Sequence, residues 1–127
     1  LFDRDPTARG ARPLALRYRP PEGNRVTDAA ALPDGQLLLL NRRASLLEGF
    51  SAILSLAALP EPGRGAIVEG RTLAVLAAPL PVDNMEALSV TREGGRTILW
   101  IASDDNFNPL LQQTLLLKFA LEDLPSR

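Results

Sequence analysis

Neither cysteine nor histidine occurs in the 127 residues of this chain. Their absence excludes a thiolate zinc site, a Cys or His nucleophile–base pair and any histidine general base. It says nothing about compartment, since an exported protein need not use disulfides. Lysine is nearly missing as well: Lys118 stands alone among arginines. Fourteen basic residues against 15 acidic ones give a formal net charge of −1, with no segment that concentrates positive charge. A nucleic-acid surface needs a basic stripe, so no nucleic-acid partner is expected. Every apolar run stops well short of the roughly 18 residues of a membrane helix, so membrane insertion is not expected either. No Gly-rich phosphate loop, no G-x-S-x-G elbow and no N-glycosylation sequon appears. Ser45, Ser51 and Ser103 therefore lack both the motif and the partner of a serine esterase. No signal peptide opens the chain. The first residue is Leu1 rather than Met, and the sequence is expected to be part of a longer polypeptide.

What is present has globular proportions, 46% hydrophobic and 23% charged, which suits a single domain with one modest core. Eleven prolines and nine glycines punctuate short apolar runs, a pattern of strands and turns rather than long helices. The runs predict strands near 14–19, 26–32, 36–42, 51–58, 72–78, 85–91, 97–103 and 113–121. The leucine and alanine content of 44–59 would also suit a helix. Residues 1–13 lack periodicity and read as a linker or frayed segment before a domain at 14–127.

Two turn signals organise these runs. Asp34-Gly35 in "LPDGQ" and Gly94-Gly95 in "REGGR" each stand between apolar segments, as the turn of a β-hairpin does. The hairpins belong to an internal repeat offset by about 60 residues, spanning about 26–80 and 84–121. Asp28 aligns with Glu86, Leu37–Leu40 with Ile98–Ile101, and Arg43 with Asp104. Each unit reads as strand, tight turn, very apolar strand, longer loop and third strand, and "RTLAVLAAP" adds a fourth to the first unit. Four antiparallel strands make the blade of a β-propeller. "QLLLL" and "ILWIA" are apolar without alternation, which calls for cover on both faces. The expected fold is therefore all-β: about two antiparallel four-stranded blade-like repeats of a propeller, as a C-terminal fragment of it. Open blade edges would then favour a homo-oligomer.

The second unit, "VDNMEALSV…GGRTILWIASDDNFNPLLQQTLLLKFAL" (82–121), resembles the closing segment of the phytase-like proteins described as "esterase-like activity of phytase". The first, "TDAAALPDGQLLLLNRRASLLEGFSAILSL" (27–56), resembles the segment that precedes it in that family. Met85 and Ala87 stand where the family pattern has an aromatic residue and a glycine. The resemblance implies a bacterial protein that is periplasmic or secreted. It also implies a propeller-like β fold and hydrolysis of phosphate or carboxylic esters, with a small-molecule ester as substrate.

Candidate site residues follow from the hairpin geometry. Two-residue turns at Asp34-Gly35 and Gly94-Gly95 would set Asp28 opposite Asn41 and Glu86 opposite Ser103. Asp28, Arg42 and Arg43 then share one end of the first hairpin, and Glu86, Asp104 and Asp105 the same end of the second. In a propeller that end bears the loops where ligands bind. Three readings of the cluster compete. In one, Asp28 and Glu86 cap strands and pair with arginines or loop amides, while Asp104 and Asn106 make Asx turns. In the second, Asp83, Glu86, Asp104 and Asp105 with Asn106 hold Ca²⁺ through hard oxygen ligands. In the third, Glu86 is a general base or metal ligand, and Arg42 and Arg43 clamp an anionic oxygen with their planar forks. Without histidine, hydrolysis of a phosphate ester on this face would use a metal-activated water. The binding-module alternative assigns function to the exposed loop residues Leu46, Leu47 and Phe50 instead. Trp100 and Phe107 read as core and as a plug of the blade top.

Overall fold

In a computed structural model, residues 4–13, 15–59, 67–108 and 110–122 are described, and their regular structure is entirely β. The strands are β1 (Arg17–Arg19), β2 (Arg25–Ala31), β3 (Gln36–Ser45), β4 (Gly49–Ala58), β5 (Ile67–Glu69), β6 (Arg71–Leu76), β7 (Met85–Glu93), β8 (Arg96–Ser103) and β9 (Leu116–Leu121). The segment 44–59 is thus strand and turn, not helix. Within β4 the buried run Leu54–Ala57 has both faces covered, Leu54 and Leu56 in one apolar cluster and Ala57 in another, as a strand inside a sandwich requires.

Three sheets result. One is four-stranded in the order β2-β3-β4-β6, one is three-stranded in the order β7-β8-β9, and β1 and β5 form a two-stranded parallel pair. Both larger sheets are antiparallel throughout. The all-antiparallel expectation holds for the two repeats and fails for β1 and β5, which pair in parallel from Arg17 with Ile67 to Arg19 with Glu69. The sheets do not close on themselves.

The second hairpin turns as its sequence indicates. Glu93 pairs with Arg96 across Gly94 (φ 55) and Gly95 (φ 82), the two positive φ values of a type I′ turn. The first hairpin departs from the expected two-residue turn. Leu32 N–H donates to Gln36 O at 2.8 Å and Gly35 N–H to Leu32 O at 2.9 Å. This encloses a three-residue loop, Pro33-Asp34-Gly35, with Gly35 at φ 81. Proline at the first loop position and a left-handed glycine at the last fit a type I turn closed by a bulge, and Asp34 stabilises it by accepting from Gln36 N–H at 3.0 Å.

Register corrects the expected pairings further. Asp28 faces Leu40, not Asn41, because the three-residue loop shifts the register by one position, and the ladder slips once more between Asp28 and Val26. Ser103 faces Met85, not Glu86, because the ladder slips between Met85 and Ala87. Both hairpins therefore carry a β-bulge near the start of the first strand, centred on Thr27 and on Glu86. Aligned on the bulges, Thr27 corresponds to Glu86, and Asn41, Arg42 and Arg43 to Ser103, Asp104 and Asp105.

The main core lies between the two large sheets. Leu38 and Leu40 of β3 and Ala52, Leu54 and Leu56 of β4 pack with Met85, Leu88, Leu99 and Ile101 of β7 and β8. The opposite face of β3 and β4 is closed by the small pair: Leu37, Leu39 and Ala57 form a second cluster with Val68, Leu16, Tyr18 and Leu59. This explains the unbroken "QLLLL", with both faces covered as expected. In "ILWIA" only Leu99 and Ile101 face the first sheet. Trp100 is half-exposed on the outer face, with Lys118 Nζ 4.7 Å from its ring centroid. Among the described residues no helix is long and apolar enough to cross a membrane.

Candidate functional site

β2 and β7, the first strands of the two repeats, run side by side, and their bulges knit the sheets together. A bulge re-aims the side chains beside it. Thr27 Oγ1 donates to Met85 O at 3.0 Å. Asp28 accepts from Ala29 N–H at 2.8 Å through Oδ1 and from Leu88 N–H at 2.7 Å through Oδ2. Asp28 is thus a linker between sheets rather than a partner of Arg42 or Arg43.

The second bulge sends Glu86 towards the end of β3. Its Oε1 accepts from Asn84 Nδ2 at 2.8 Å and lies 3.4 Å from Arg42 Nη1. The pair is only partly shielded, with 24% of the Arg42 side chain and 40% of the Glu86 side chain exposed. Asn84 is the buried node of this end. Fully enclosed, it donates also to Asp104 O at 3.2 Å, while Asp104 N–H donates to Asn84 O at 3.0 Å. Its Oδ1 has no partner among the described residues. Sequence reasoning passed over Asn84. Its signal was the dipeptide Asp83-Asn84 just before a strand, which reads equally well as turn chemistry.

The remaining candidates are held separately. Arg43 lies next to Arg42 on a strand, so the two side chains leave on opposite faces. Arg43 pairs with Glu48 at 3.2 Å and passes over Gly23, away from Glu86. Asp83 is buried and accepts from Asn84 N–H at 2.7 Å and Gln113 N–H at 2.8 Å, one bond on each oxygen. Asp104 Oδ1 accepts from Asn106 N–H at 3.0 Å. Asp105 accepts from Phe107 N–H at 3.0 Å and from Thr114 Oγ1 at 3.2 Å. Asn106 donates through Nδ2 to Gln112 Oε1 at 3.3 Å. The two aspartates thus close successive Asx turns, with Asn106 (φ 49) and Phe107 (φ 59) left-handed, a conformation that asparagine tolerates better than phenylalanine. Among the described residues no three acidic groups converge as a metal site.

The same end carries the exposed loops. Leu46 and Leu47 form the tip between β3 and β4, and Phe107, Leu110 and Leu111 crown the loop between β8 and β9, all five almost wholly exposed. Phe50 is half-buried, and Phe107 plugs nothing. A cleft of about 260 Å³ runs between Pro81–Asp83 and Leu110–Gln113, small for an organic ligand pocket.

Two antiparallel sheets joined at a polar, loop-bearing end by a half-exposed glutamate, a buried asparagine and an arginine define an all-β protein with one candidate reactive face. The chain belongs to the Phytase-like family, described as esterase-like activity of phytase, whose model matches residues 1–107. The match places it with phytase-like hydrolases at the level of the family. It takes in "SDDNF" and stops before "QQTLLL". No curated protein and no solved structure matches the chain.

Proposed function

We propose that this chain forms two adjoining blades of an exported phytase-like propeller that hydrolyses phosphate or carboxylic esters, with Glu86 as the general base. The observation that carries the reading is the state of Glu86: Oε1 is held by Asn84 and Arg42 while the side chain keeps 40% exposure. A carboxylate fixed through one oxygen and open to solvent is oriented to take a proton from a water attacking an ester, a contribution of about 10²–10⁴-fold in rate. Arg42 offsets the negative charge that Glu86 would set against an anionic substrate, and its fork suits a phosphate or carboxylate oxygen. Arg43, on the other face, takes no part. The blade reading is supported by the repeated bulged hairpin and by the lateral seam between β2 and β7.

Calcium assistance, expected from the acidic sequence, meets a donor set that is largely engaged. Both oxygens of Asp83 and both of Asp105 accept protein hydrogen bonds. Calcium takes six to eight oxygens. No step is therefore assigned to a cation.

The test is turnover of p-nitrophenyl phosphate and p-nitrophenyl acetate by the wild type and by Glu86→Gln. Loss of about 100-fold or more with an unchanged melting curve supports the base assignment, and an unchanged rate removes it. A second reading rests on a separate observation, the exposed apolar tips Leu46, Leu47, Phe107, Leu110 and Leu111. In it the end of the sheets binds a ligand or protein without chemistry. Loss of binding in Leu46→Ser/Leu47→Ser, with Glu86→Gln silent, would favour that reading.

A further inference from the structure

Asn41 follows Leu37 and Leu39 on the face of β3 that β1 and β5 cover, and Ser55 of β4 stands opposite Leu39 on the same face. Both are fully buried. Asn41 Nδ2 donates to Ile53 O and to Ser55 Oγ, each at 3.1 Å, and lies 3.4 Å from Leu39 O. These acceptors fix the amide, since turning it over would set Oδ1 against two carbonyl oxygens. Asn41 Oδ1 is the atom left over, and it has no partner among the described residues. Tyr18 of β1 reaches the same place from the covering pair. Its ring packs on Leu37, Leu39 and Ala57, while its hydroxyl is buried and again has no partner among the described residues. Gly70 locates that hydroxyl: a Cβ there would stand 3.4 Å from Tyr18 Oη and 2.8 Å from Ser55 Cβ. Ser55 is thus the common neighbour of an unmatched acceptor and an unmatched donor. Burying either one bare is costly, and a buried tyrosine hydroxyl ordinarily finds a partner.

We propose that Tyr18, Asn41 and Ser55 bind one internal water, which accepts from the Tyr18 hydroxyl and donates to Asn41 Oδ1, with Ser55 Oγ as its third partner. About three hydrogen bonds is the usual complement of a buried water. The donor set selects water over other ligands. None of the three side chains is charged, so an ion would be buried without compensation. The adjoining cluster of Leu37, Leu39, Ala57 and Val68 offers nothing to a larger polar solute. β1 pairs only with β5. The water therefore ties β1 to the middle of the four-stranded sheet through hydrogen bonds that no strand ladder supplies. The inference is independent of the chemistry assigned to Glu86.

Magnetic relaxation dispersion of the water oxygen, measured on the whole chain, counts internal waters of long residence time. Tyr18→Phe removes the hydroxyl and keeps the ring, and should lower that count by one. Tyr18 and Asn41 share no direct hydrogen bond, so any coupling between their polar groups runs through the water. In a urea-melt cycle, Tyr18→Phe and Asn41→Leu should depart from additivity by about threefold or more in the folding equilibrium constant. Equal water counts in the wild type and Tyr18→Phe overturn the proposal, and that comparison alone decides if Asn41→Leu does not fold. Strict additivity of the two substitutions overturns it as well.

Discussion

Asp28 and Leu88, 60 residues apart in sequence, are joined by a 2.7 Å hydrogen bond from the Leu88 amide to the Asp28 carboxylate. A bond from an amide to a charged acceptor contributes more than a neutral one, about 1.5–3 kcal/mol. Here it closes the seam between two sheets that share a core. Asp28→Ala leaves the Leu88 and Ala29 amides without this acceptor and should cost about 2–3 kcal/mol in a urea melt. Asp28→Asn keeps one accepting oxygen and should cost about half as much. Equal stability of wild type and Asp28→Ala would mean that the sheets do not meet through this bond.

Asn84 should matter to both stability and chemistry. Asn84→Ala removes the donors to Glu86 Oε1 and Asp104 O and opens a small void in a fully buried position. A loss of about 1–2 kcal/mol is expected. Turnover should fall through misorientation of Glu86, and Asn84→Asp should not restore it, since an acid has no N–H to give. The readouts are a thermal melt and the ester assay, and restored turnover in Asn84→Asp would rule out the positioning role.

The Arg42–Glu86 ion pair, by contrast, should be energetically minor. At 3.4 Å and with 40% of the Glu86 side chain exposed, water screens it, and such pairs contribute about 0–1 kcal/mol. A double-mutant cycle over Arg42→Ala and Glu86→Gln should give a coupling energy below about 1 kcal/mol. A coupling of 3 kcal/mol would instead mark a buried pair and weaken the case for Glu86 as an accessible base.

Most of the fold is legible in the sequence, and the exceptions have physical causes. "REGGR" states its turn outright because two adjacent glycines supply two positive φ values. "LPDGQ" offers an equally strong hairpin pair, Asp34-Gly35, but Pro33 ahead of it favours a type I turn and lengthens the loop by one residue. That extra loop residue is what moves Asp28 from Asn41 to Leu40, whereas Ser103 faces Met85 instead of Glu86 because of a bulge at Glu86, an ordinary strand residue with no bulge signature. The parallel pair of β1 and β5 joins residues 17–19 to 67–69, a long-range contact that no local pattern announces. At the site, Asp104 closes the Asx turn expected of it, but the second Asx turn is closed by Asp105 rather than by Asn106, whose side chain instead donates to Gln112. The alternating faces of Arg42 and Arg43 were implicit in the strand period. What a linear reading could not supply was the partner of each acid, because Asp28 and Asp83 bind backbone amides contributed by other segments.

Calcium gives a direct test of those aspartates. Thermal melts with Ca²⁺ and with chelator should coincide for the wild type, because the oxygens of Asp83 and Asp105 are already engaged. Asp104→Asn/Asp105→Asn should shift the melt by only a few degrees, since asparagine keeps the oxygen that closes an Asx turn. A site held at 100 times its Kd would add about 2.7 kcal/mol. A rise of that size in the wild type, lost in the double variant, would return these residues to a metal-holding role.

Gly70 offers the sharpest steric prediction. It joins β5 to β6, where a Cβ would stand 2.8 Å from Ser55 Cβ and 3.4 Å from Tyr18 Oη. Ser55 is fully buried, and its hydroxyl accepts from Asn41 Nδ2 at 3.1 Å, so it cannot turn aside cheaply. Strand β6 would have to move away from β4, taking with it the cover over Leu54 and Leu56. Overpacking of this kind costs about 1–3 kcal/mol, and Gly70→Ala should lower the urea midpoint accordingly. Ser55→Gly in the same chain removes the obstructing atom, so the double variant should recover part of the loss beyond additivity. Strict additivity of the two changes would show that Gly70 is not held against Ser55, and the packing of β6 on β4 would need another origin.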